Sequence, residues 1–245
     1  MKYRYFVLLL ITLSLSSCYE SKFLLENLNK CYVPLEYLHD SKINECDKST
    51  SIALTKCDIH VFDAETSVTK INHKVLPFIV FNYEEINLAV KLGQNSLEQN
   101  YYIFFRKSFD TESQRTGCYS LTDNPEESDY SIEITYDTCE VNSIFQRSST
   151  VIFVLAAYSM NFQELGFPAK TDLVLNVKLK KENDLVFEKK YSVERTQPFV
   201  KSQSNKIYND FVVNLAESLS MGTKDCIEQI IKDINQVIET QKGTL

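Results

Sequence analysis

Apolar and polar residues alternate along several stretches of the chain, and this period of two predicts β-strands. The clearest case is DYSIEITYD, where Tyr130, Ile132, Ile134 and Tyr136 alternate with acids and hydroxyls. SIALTKCDIHVFD, from Ser51, also has strand-like composition. HKVLPFIVFNYEE predicts a stronger strand, with Pro77 at a sheet edge or at a break near the strand's start.

The segment TDLVLNVKLKKENDLVFEKKYSVE predicts a β-hairpin, because each half carries one apolar row. The rows are Leu173, Leu175, Val177 and Leu179 in the first half, and Leu185, Phe187, Tyr191 and Val193 in the second. A three-residue loop at Glu182, Asn183 and Asp184 places Leu179 beside Phe187, Leu175 beside Tyr191 and Leu173 beside Val193. A slip of one residue would oppose apolar to polar faces, so we predict this register.

Helical spacing follows the second strand. Asn82 is placed as an N-cap, with Glu84 and Glu85 near the positive end of the helix dipole. Ile86, Ala89, Val90, Gly93 and Leu97 then recur at helical spacing, which predicts a helix over 84–99. The next residues, YYIFF at 101–105, either extend that helix or form a strand, and their aromatic and β-branched content favours a strand.

Two further apolar segments complete the pattern. The run VIFVLAAYSMNF at 151–162 is shorter than the roughly 20 residues of a membrane-spanning helix, and predicts a fully covered strand. The last forty residues are helical, with one stripe of Ile207, Phe211 and Leu215 and a second from Cys226 to Ile238. Gly222 separates the stripes and Thr223 is available as an N-cap, so two helices or one helix kinked at Gly222 both fit.

This order of elements predicts an α+β fold. We expect a mixed or mostly antiparallel sheet, covered on one face by helices, with a C-terminal helical segment. The predicted single domain spans 51–245. Residues 18–50 then form a tether or N-terminal extension.

The first twenty residues have the layout of a secretory signal. Lys2 and Arg4 form a basic region, and an apolar run from Phe6 to Leu13 precedes small residues. The run is too short to cross a bilayer as a helix. We therefore predict that residues 1–17 are a signal peptide.

Leu15, Ser16, Ser17 and Cys18 resemble the lipobox of bacterial lipoproteins; an ordinary signal peptide with a chance cysteine is the alternative. The resemblance implies that diacylglycerol alkylates the Cys18 thiol, that cleavage precedes Cys18, and that the new amine is acylated. One acyl chain gives only marginal membrane binding, whereas two or three hold a protein at the surface. By the family's sorting rule, Tyr19 rather than Asp after the cysteine implies the outer membrane, in a cell that has one.

Composition and charge exclude some classes of partner. The formal net charge is −7, and becomes −9 without Lys2 and Arg4. Such an acidic chain has no electrostatic footprint for nucleic acid or for anionic headgroups, so membrane attachment is expected to depend on the acyl chains. The content of 44% hydrophobic residues is typical of a globular protein rather than a disordered one.

Six cysteines accompany Cys18: Cys31, Cys46, Cys57, Cys118, Cys139 and Cys226. In an oxidising envelope compartment an even number suits disulfides. Their clustering favours bridges within Cys31, Cys46 and Cys57, and a bridge of Cys118 with Cys139. Cys226 lies in apolar register on a helix and fits a buried free thiol. There is no C-x-x-C motif, the usual signature of thiol exchange or of a zinc ribbon.

Candidate chemistry is sparse, with three histidines (His39, His60 and His73) and no hydrolase, zinc-protease or phosphate-loop motif. Cys57 with His60 is the sharpest candidate for a metal site or nucleophile pair, but residues three apart in a strand lie on opposite faces. Two acid clusters could supply carboxylates for acid/base catalysis: Glu84 with Glu85, and Glu126 and Glu127 with Asp129. We interpret them as a helix N-terminus and as a solvated turn after Pro125, and predict no catalytic, cofactor or metal residue.

With its lipobox, its DYSIEITYD strand and its LVLNVKLKKENDLVFEKKYSV hairpin before a long helix, the chain resembles small α/β lipoproteins of the bacterial envelope. These include auxiliary lipoproteins of ABC transport systems and relatives of uncharacterised function. The resemblance implies a lipid-anchored, non-enzymatic protein that binds envelope proteins or helps a complex assemble. A surface-exposed ligand binder or adhesin is the alternative, and a lipid-anchored hydrolase is a third hypothesis.

Overall fold

The computed structural model describes residues 32–58, 65–75, 79–154, 157–200 and 207–242. Within these residues, eight strands form one mixed sheet that packs against two α-helices. The strands are β1 (Ser51–Asp58), β2 (Glu65–Val75), β3 (Ile79–Lys91), β4 (Ser120–Thr122), β5 (Tyr130–Val154), β6 (Ala157–Gly166), β7 (Ala169–Lys181) and β8 (Asp184–Gln197). The helices are α1 (Tyr101–Thr116) and α2 (Ile207–Lys242), and short 3₁₀ turns occupy Gln94–Ser96 and Pro125–Glu127.

The 25-residue strand β5 belongs to two parts of the sheet. Its first half lies between β1 and β7, with β4 and β8 outside them, and we call this part the body. Its second half lies between β3 and β6, with β2 outside β3, and we call this part the arm. β1 pairs in parallel with β4 and β5, and the other ladders are antiparallel.

Both helices cover the same face of the body. In β7 the odd-numbered residues from Ala169 to Leu179 are buried, whereas the intervening residues are more accessible. Phe105 of α1 packs on Tyr136, and Phe211 of α2 packs on Phe145. The opposite face carries ion pairs such as Lys180 with Glu133. The predicted α+β fold, with helices on one face and a C-terminal helix, is confirmed.

The alternation predicted for DYSIEITYD is present at the start of β5, where Tyr130, Ile132, Ile134 and Tyr136 are all buried. A bulge after Tyr136 then shifts the buried face from even to odd residue numbers. Cys139, Val141 and Phe145 consequently lie in the same core. The bulge allows one continuous strand to serve both the body and the arm.

The predicted hairpin is confirmed in β7 and β8, where Leu173 pairs with Val193, Leu175 with Tyr191 and Leu179 with Phe187. The turn is shorter than predicted, because Asp184 pairs with Lys181. Glu182 and Asn183 both have positive φ, as a two-residue type I′ turn requires. A bulge beside Leu179 restores the predicted register.

The predicted helix over 84–99 is wrong. Residues 84–91 form the end of β3, and the 3₁₀ turn Gln94–Ser96 follows. Glu84 and Glu85 pair with Ser149 and Ser148 of β5 rather than starting a helix. The preference of YYIFF for a strand is also wrong, because α1 begins at Tyr101 with the Asn100 side chain accepting from the Tyr102 N–H at 2.9 Å. In the end of β3, long-range pairing with β5 outweighs the helical spacing of the apolar residues. In α1, the buried aromatic residues themselves recur at helical spacing, which favours a helix.

The run 151–162 is not a fully covered strand. It contains the end of β5 and the start of β6, which pair with each other; residues 155 and 156 lie outside the described residues. Ile152, Met160 and Phe162 are exposed. The apolar run therefore forms part of the arm rather than a covered strand.

The C-terminal segment is one helix, α2, and not two. Gly222 lies in its interior, and Thr223 is a buried helical residue rather than an N-cap. The Thr223 hydroxyl donates to the Leu219 carbonyl at 2.8 Å and bonds the Tyr101 hydroxyl at 2.8 Å. Cys226 is a buried free thiol, as predicted. No helix in the described part of the chain has the length and apolarity needed to cross a membrane.

Candidate functional site

Part of the predicted tether is docked on the domain, and we call residues 32–50 the strap. Val33 and Leu35 are buried, and Val33 forms a β-bridge with Leu97. The Gln99 side chain donates to the Leu35 carbonyl at 3.0 Å, and Ser220 of α2 accepts from the strap's Glu36 N–H. The strap thus fixes where the N-terminal part of the chain leaves the domain.

A buried carboxylate holds the middle of the strap. Glu112 of α1 is fully buried, and one of its oxygens lies 3.1 Å from Nδ1 of His39. Its other oxygen accepts from the Ser41 hydroxyl. The Arg115 guanidinium donates to the carbonyls of His39 and Ser41, at 3.1 and 3.0 Å. The cluster supplies the hydrogen bonds that a buried carboxyl group requires.

These residue types could suggest a nucleophilic triad, but their geometry differs from one. In a triad the histidine accepts from the nucleophile and donates to the carboxylate. Here His39 and Ser41 each contact Glu112, on separate oxygens. The arrangement anchors the strap on α1. The pairing joins residues 73 positions apart, which is why the sequence did not show it.

The strap is also joined covalently to the domain. Cys46 and Cys118 form a disulfide with Cα atoms 5.3 Å apart. The predicted pairings are therefore wrong for Cys118, which was expected to pair with Cys139, and for Cys46, which was placed with Cys31 and Cys57. Cys57 and Cys139 are free thiols, and Cys18 and Cys31 lie outside the described residues.

The free thiols are poor nucleophiles in this fold. Burial raises the pKa of the Cys57 thiol and of the Cys226 thiol to about 12. Burial also raises the pKa of Cys139. Because the thiolate is the reactive form, these three thiols are protonated and unreactive at neutral pH.

The proposed metal pair is incomplete within the described residues, because His60 lies outside them. Among the residues that are described, no group of three or more histidines, cysteines and acids is arranged to hold a metal ion. His73 lies on β2, in register with Tyr83. His39, which belongs to the strap, contacts the carboxylate of Glu112 on α1.

The predicted carboxylate clusters have structural roles. On the arm, the Glu85 carboxylate accepts from Tyr83, Asn87 and Gln146 at 2.7 to 2.9 Å. Glu126 and Glu127 lie in the exposed turn after Pro125, as the sequence indicated.

Asp129 lies beside that turn and joins two strands. Its carboxylate accepts from the Ser51 N–H at 2.7 Å and from the Ser51 hydroxyl at 2.8 Å. These bonds lower the pKa of the Asp129 carboxyl. The contact holds the start of β1 beside the start of β5.

An open groove of about 470 Å³ lies between β8 and α2. Its lining includes Glu194, Asp225, Glu228 and Lys232. Asp225 is already paired with Arg195 at 2.6 Å. The groove is open to solvent and its charges are mostly acidic, so it offers no enclosed site for a small molecule.

The outer edge of β6 is a more distinctive surface. Within the described residues β6 pairs with β5 alone, and its residues 159–165 are all exposed. Met160 is 51% and Phe162 is 53% exposed. No charged residue occurs in β6 before Glu164, which pairs with Arg147 at 3.8 Å. Sequence reasoning missed this edge because it interpreted 151–162 as a covered strand.

No protein-family model matches the chain, and no characterised protein matches its sequence. Among solved structures, the chain is similar to the crystal structure of protein XCC0632 from Xanthomonas campestris, which carries the family-model label DUF330. The identity is 13% and the TM-score is 0.44. The match covers 87% of this chain and 98% of that one.

Proposed function

We propose that the protein is a lipid-anchored cell-envelope lipoprotein that acts by binding another envelope protein, without catalysis of its own. The observation that carries the proposal is the exposed, nearly uncharged edge of β6. Exposed sheet edges are usually blunted by charges or proline because they pair with other strands. The edge strand β8 follows this rule, with Lys189 and Lys190 among its exposed residues.

The contrast between the two edges supports a partner at β6. A protein strand added to β6 would gain main-chain hydrogen bonds, and Met160 and Phe162 would supply apolar contacts that select the partner. The Cys46–Cys118 disulfide supports an oxidising envelope compartment. The lipobox at Cys18 supports the anchor, and Tyr19 favours the outer membrane.

Site-specific crosslinking tests the binding surface. A photoreactive amino acid at Phe162 is expected to capture one defined envelope protein in intact cells, and the same residue at Leu185 is not. Leu185 is a matched control, because it is also exposed, at 52%, but lies at the β7–β8 turn. A Phe162→Lys variant should abolish co-purification of that partner after gentle detergent extraction. Equal capture from both positions would count against the proposal.

Mass measurement tests the anchor separately. Wild-type protein is expected to carry a lipid adduct on Cys18, and a Cys18→Ala variant should keep the mass of the uncleaved precursor. A wild-type mass without lipid would overturn the anchor. Protease treatment of intact cells would distinguish an inward-facing protein from the surface-displayed alternative, in which the domain is digested.

A further inference from the structure

The free edge of β6 has a defined main-chain register. The Phe167 N–H donates to the Ile144 carbonyl at 2.9 Å, so these residues form a hydrogen-bonded pair that continues the β5–β6 ladder. Hydrogen-bonded and non-hydrogen-bonded pairs alternate in an antiparallel ladder, and residues 161, 163 and 165 therefore direct their N–H and C=O groups toward β5. The residues between them direct these groups toward the free edge: Met160, Phe162 and Glu164.

The side chains of these three edge residues lie on the face of the sheet that carries the helices. Gly166 pairs with Phe145, which packs on α2, and strand residues two positions apart share a face. The contacts of Arg147 agree with this assignment, since its guanidinium lies 5.8 Å from the centre of the Phe162 ring and pairs with Glu164. The edge thus combines outward main-chain groups with two apolar side chains and one carboxylate on a single face.

The opposite face of the same edge is polar. Asn161 and Gln163 alternate with the three edge residues, and both are exposed. Leu165 also lies on this face, but beyond Glu164. Between residues 160 and 164 the edge therefore presents apolar side chains on one face and amides on the other.

We infer that the partner bound at β6 contributes an extended segment whose residues are basic, polar, apolar, polar and apolar in that order. This inference rests on the proposed function, since it names the chemistry of the strand that β6 accepts. The segment runs antiparallel to residues 160–164, because antiparallel pairs are slightly more stable per residue than parallel ones. Its first residue lies opposite Glu164, its third opposite Phe162 and its fifth opposite Met160.

This register satisfies the main chain and both faces together. Each residue opposite Met160, Phe162 or Glu164 forms a hydrogen-bonded pair, in which two main-chain hydrogen bonds are exchanged. Apolar third and fifth residues cover Phe162 and Met160, whose side chains are now 53% and 51% exposed. The second and fourth residues lie beside Gln163 and Asn161 on the exposed face, where polar side chains remain in contact with water.

The charge of the edge favours a basic partner over a second copy of the chain. Glu164 is the only charged residue of β6, and its side chain is 40% exposed beside Arg147, so it can contact a second cation. Opposite charges across a ladder are stabilising. In a pair of β6 strands centred on Phe162, Glu164 would face Met160 of the other copy. That pair would also join two chains with a net charge of −7 each.

A synthetic peptide tests the pattern directly. The probe is acetylated and amidated Lys-Thr-Val-Thr-Val, added to the unlipidated mature chain, residues 18–245 with Cys18→Ser. Nuclear magnetic resonance follows amide exchange. The Met160, Phe162 and Glu164 amides should exchange roughly tenfold more slowly with saturating peptide, because each gains a main-chain hydrogen bond. The Asn161 and Gln163 amides, which already bond to β5, should change less.

Modified peptides provide the matched controls. Methylation of the third residue's nitrogen removes the donor to the Phe162 carbonyl and should weaken binding roughly tenfold. Methylation of the second residue's nitrogen should have little effect, since that N–H points away from β6. The unsubstituted chain should prefer the lysine peptide over one that begins with glutamate, by up to about fivefold. Glu164→Gln, with folding verified by circular dichroism, should remove this preference.

Three results would overturn the inference. One is equal binding of the two methylated peptides. Another is tighter binding of the reversed peptide Val-Thr-Val-Thr-Lys. The third is slow exchange of the Met160, Phe162 and Glu164 amides that increases with protein concentration without peptide, which assigns the edge to a second copy.

Crosslinking in cells separates this inference from the proposed function. A defined envelope protein captured at Phe162 through a segment without the pattern would overturn the inference alone. Absence of any defined partner at Phe162 would instead count against the proposed function.

Discussion

Glu112 shows how a single residue can decide the path of a chain segment. A carboxylate is seldom fully buried unless it is paired, and this one is bonded to His39 and Ser41 of the strap. The sequence indicates only part of this arrangement. Glu112 lies seven residues after Phe105 and four after Ser108, on the buried stripe of α1, but nothing in the sequence indicated its partners.

Replacing this carboxylate should loosen the strap. For Glu112→Gln we expect faster amide exchange over 36–44 and a loss of about 1–3 kcal/mol in the free energy of unfolding, since a buried hydrogen-bonded charge is removed. Urea denaturation and hydrogen exchange measure the two effects. Asp123→Asn is the control, because the Asp123 side chain is 97% exposed. Unchanged exchange in the strap would contradict the anchoring role.

Asp129 makes stability depend on acid pH. The Ser51 N–H and hydroxyl lower its pKa in the folded state, below the value of about 3.9 expected in the unfolded chain. This contribution is present above about pH 4 and is lost as the pH falls through the folded pKa. Asp129→Asn should therefore lose less stability than wild type on acidification below pH 4.

Ser51→Ala gives a graded comparison for the same contact. It removes the hydroxyl donor and leaves the backbone donor, so its acid dependence should lie between those of wild type and Asp129→Asn. Unfolding by urea at a series of pH values measures all three. Identical pH profiles would show that the Ser51–Asp129 contact does not contribute.

At the level of elements, Gly222 is a packing residue rather than a helix break. A Cβ atom there would lie 2.9 Å from Cγ2 of Thr171 and 3.3 Å from Cδ1 of Leu173. Thr171 cannot readily turn away, since it is buried and its hydroxyl bonds Ser218 at 2.7 Å. The glycine therefore permits the close approach of α2 to β7.

A double-mutant cycle tests this explanation. Alanine gains about 1 kcal/mol of helix propensity over glycine, but overpacking costs about 1–3 kcal/mol. Gly222→Ala should thus be neutral or destabilising in the wild-type background, by up to about 2 kcal/mol. In a Thr171→Ser background, where Cγ2 is absent, it should be stabilising. Additive effects of the two changes in urea denaturation would contradict the close contact.

The disulfide joins the strap to the segment between α1 and β4. It closes a loop with a sequence separation of 72, for which the chain-entropy model gives about 4 kcal/mol, and measured values are commonly about 2–4 kcal/mol. The double variant Cys46→Ser/Cys118→Ser should lose stability in this range. Cys57→Ser should lose less, and reducing agent should destabilise wild type but not the double variant. Insensitivity of wild type to reduction would argue against the bridge.

The β7–β8 hairpin could be predicted from the sequence, whereas the end of β3 and the disulfide could not. The β7–β8 hairpin has its apolar rows and its turn in one segment, so its register followed from the sequence. The end of β3 depends on pairing with β5, more than fifty residues away, and its helical spacing misled the prediction. The Cys46–Cys118 pairing was missed for the same reason, because cysteines close in sequence were expected to pair and these two are 72 residues apart.

At the scale of the whole molecule, β5 joins two regions of different cover. Residues 130–145 include the buried positions that pack under the two helices, whereas residues 146–151 are only half-buried and Ile152 is exposed. The sequence indicated a sheet with helices on one face, but not that the sheet extends beyond them. Phe145 contacts Tyr208 and Phe211, and these contacts place the helical cover on this part of β5. No local sequence pattern encodes them.

This difference predicts a gradient of local stability within one strand. Amides of residues 130–145 should exchange only by global unfolding, because their side chains are packed beneath α1 and α2. Amides of residues 146–154 should exchange faster through local opening of the arm, since less apolar surface is lost when it opens. Hydrogen exchange followed by mass spectrometry compares both halves in a single sample, so the first half of β5 is the internal control. Uniform protection along β5 would mean that the arm is as stable as the body, and would require a cover on the arm other than the two helices. Phe145→Ala should move the boundary of slow exchange toward Val141, because it removes a side chain of β5 that packs on Tyr208 and Phe211 of α2.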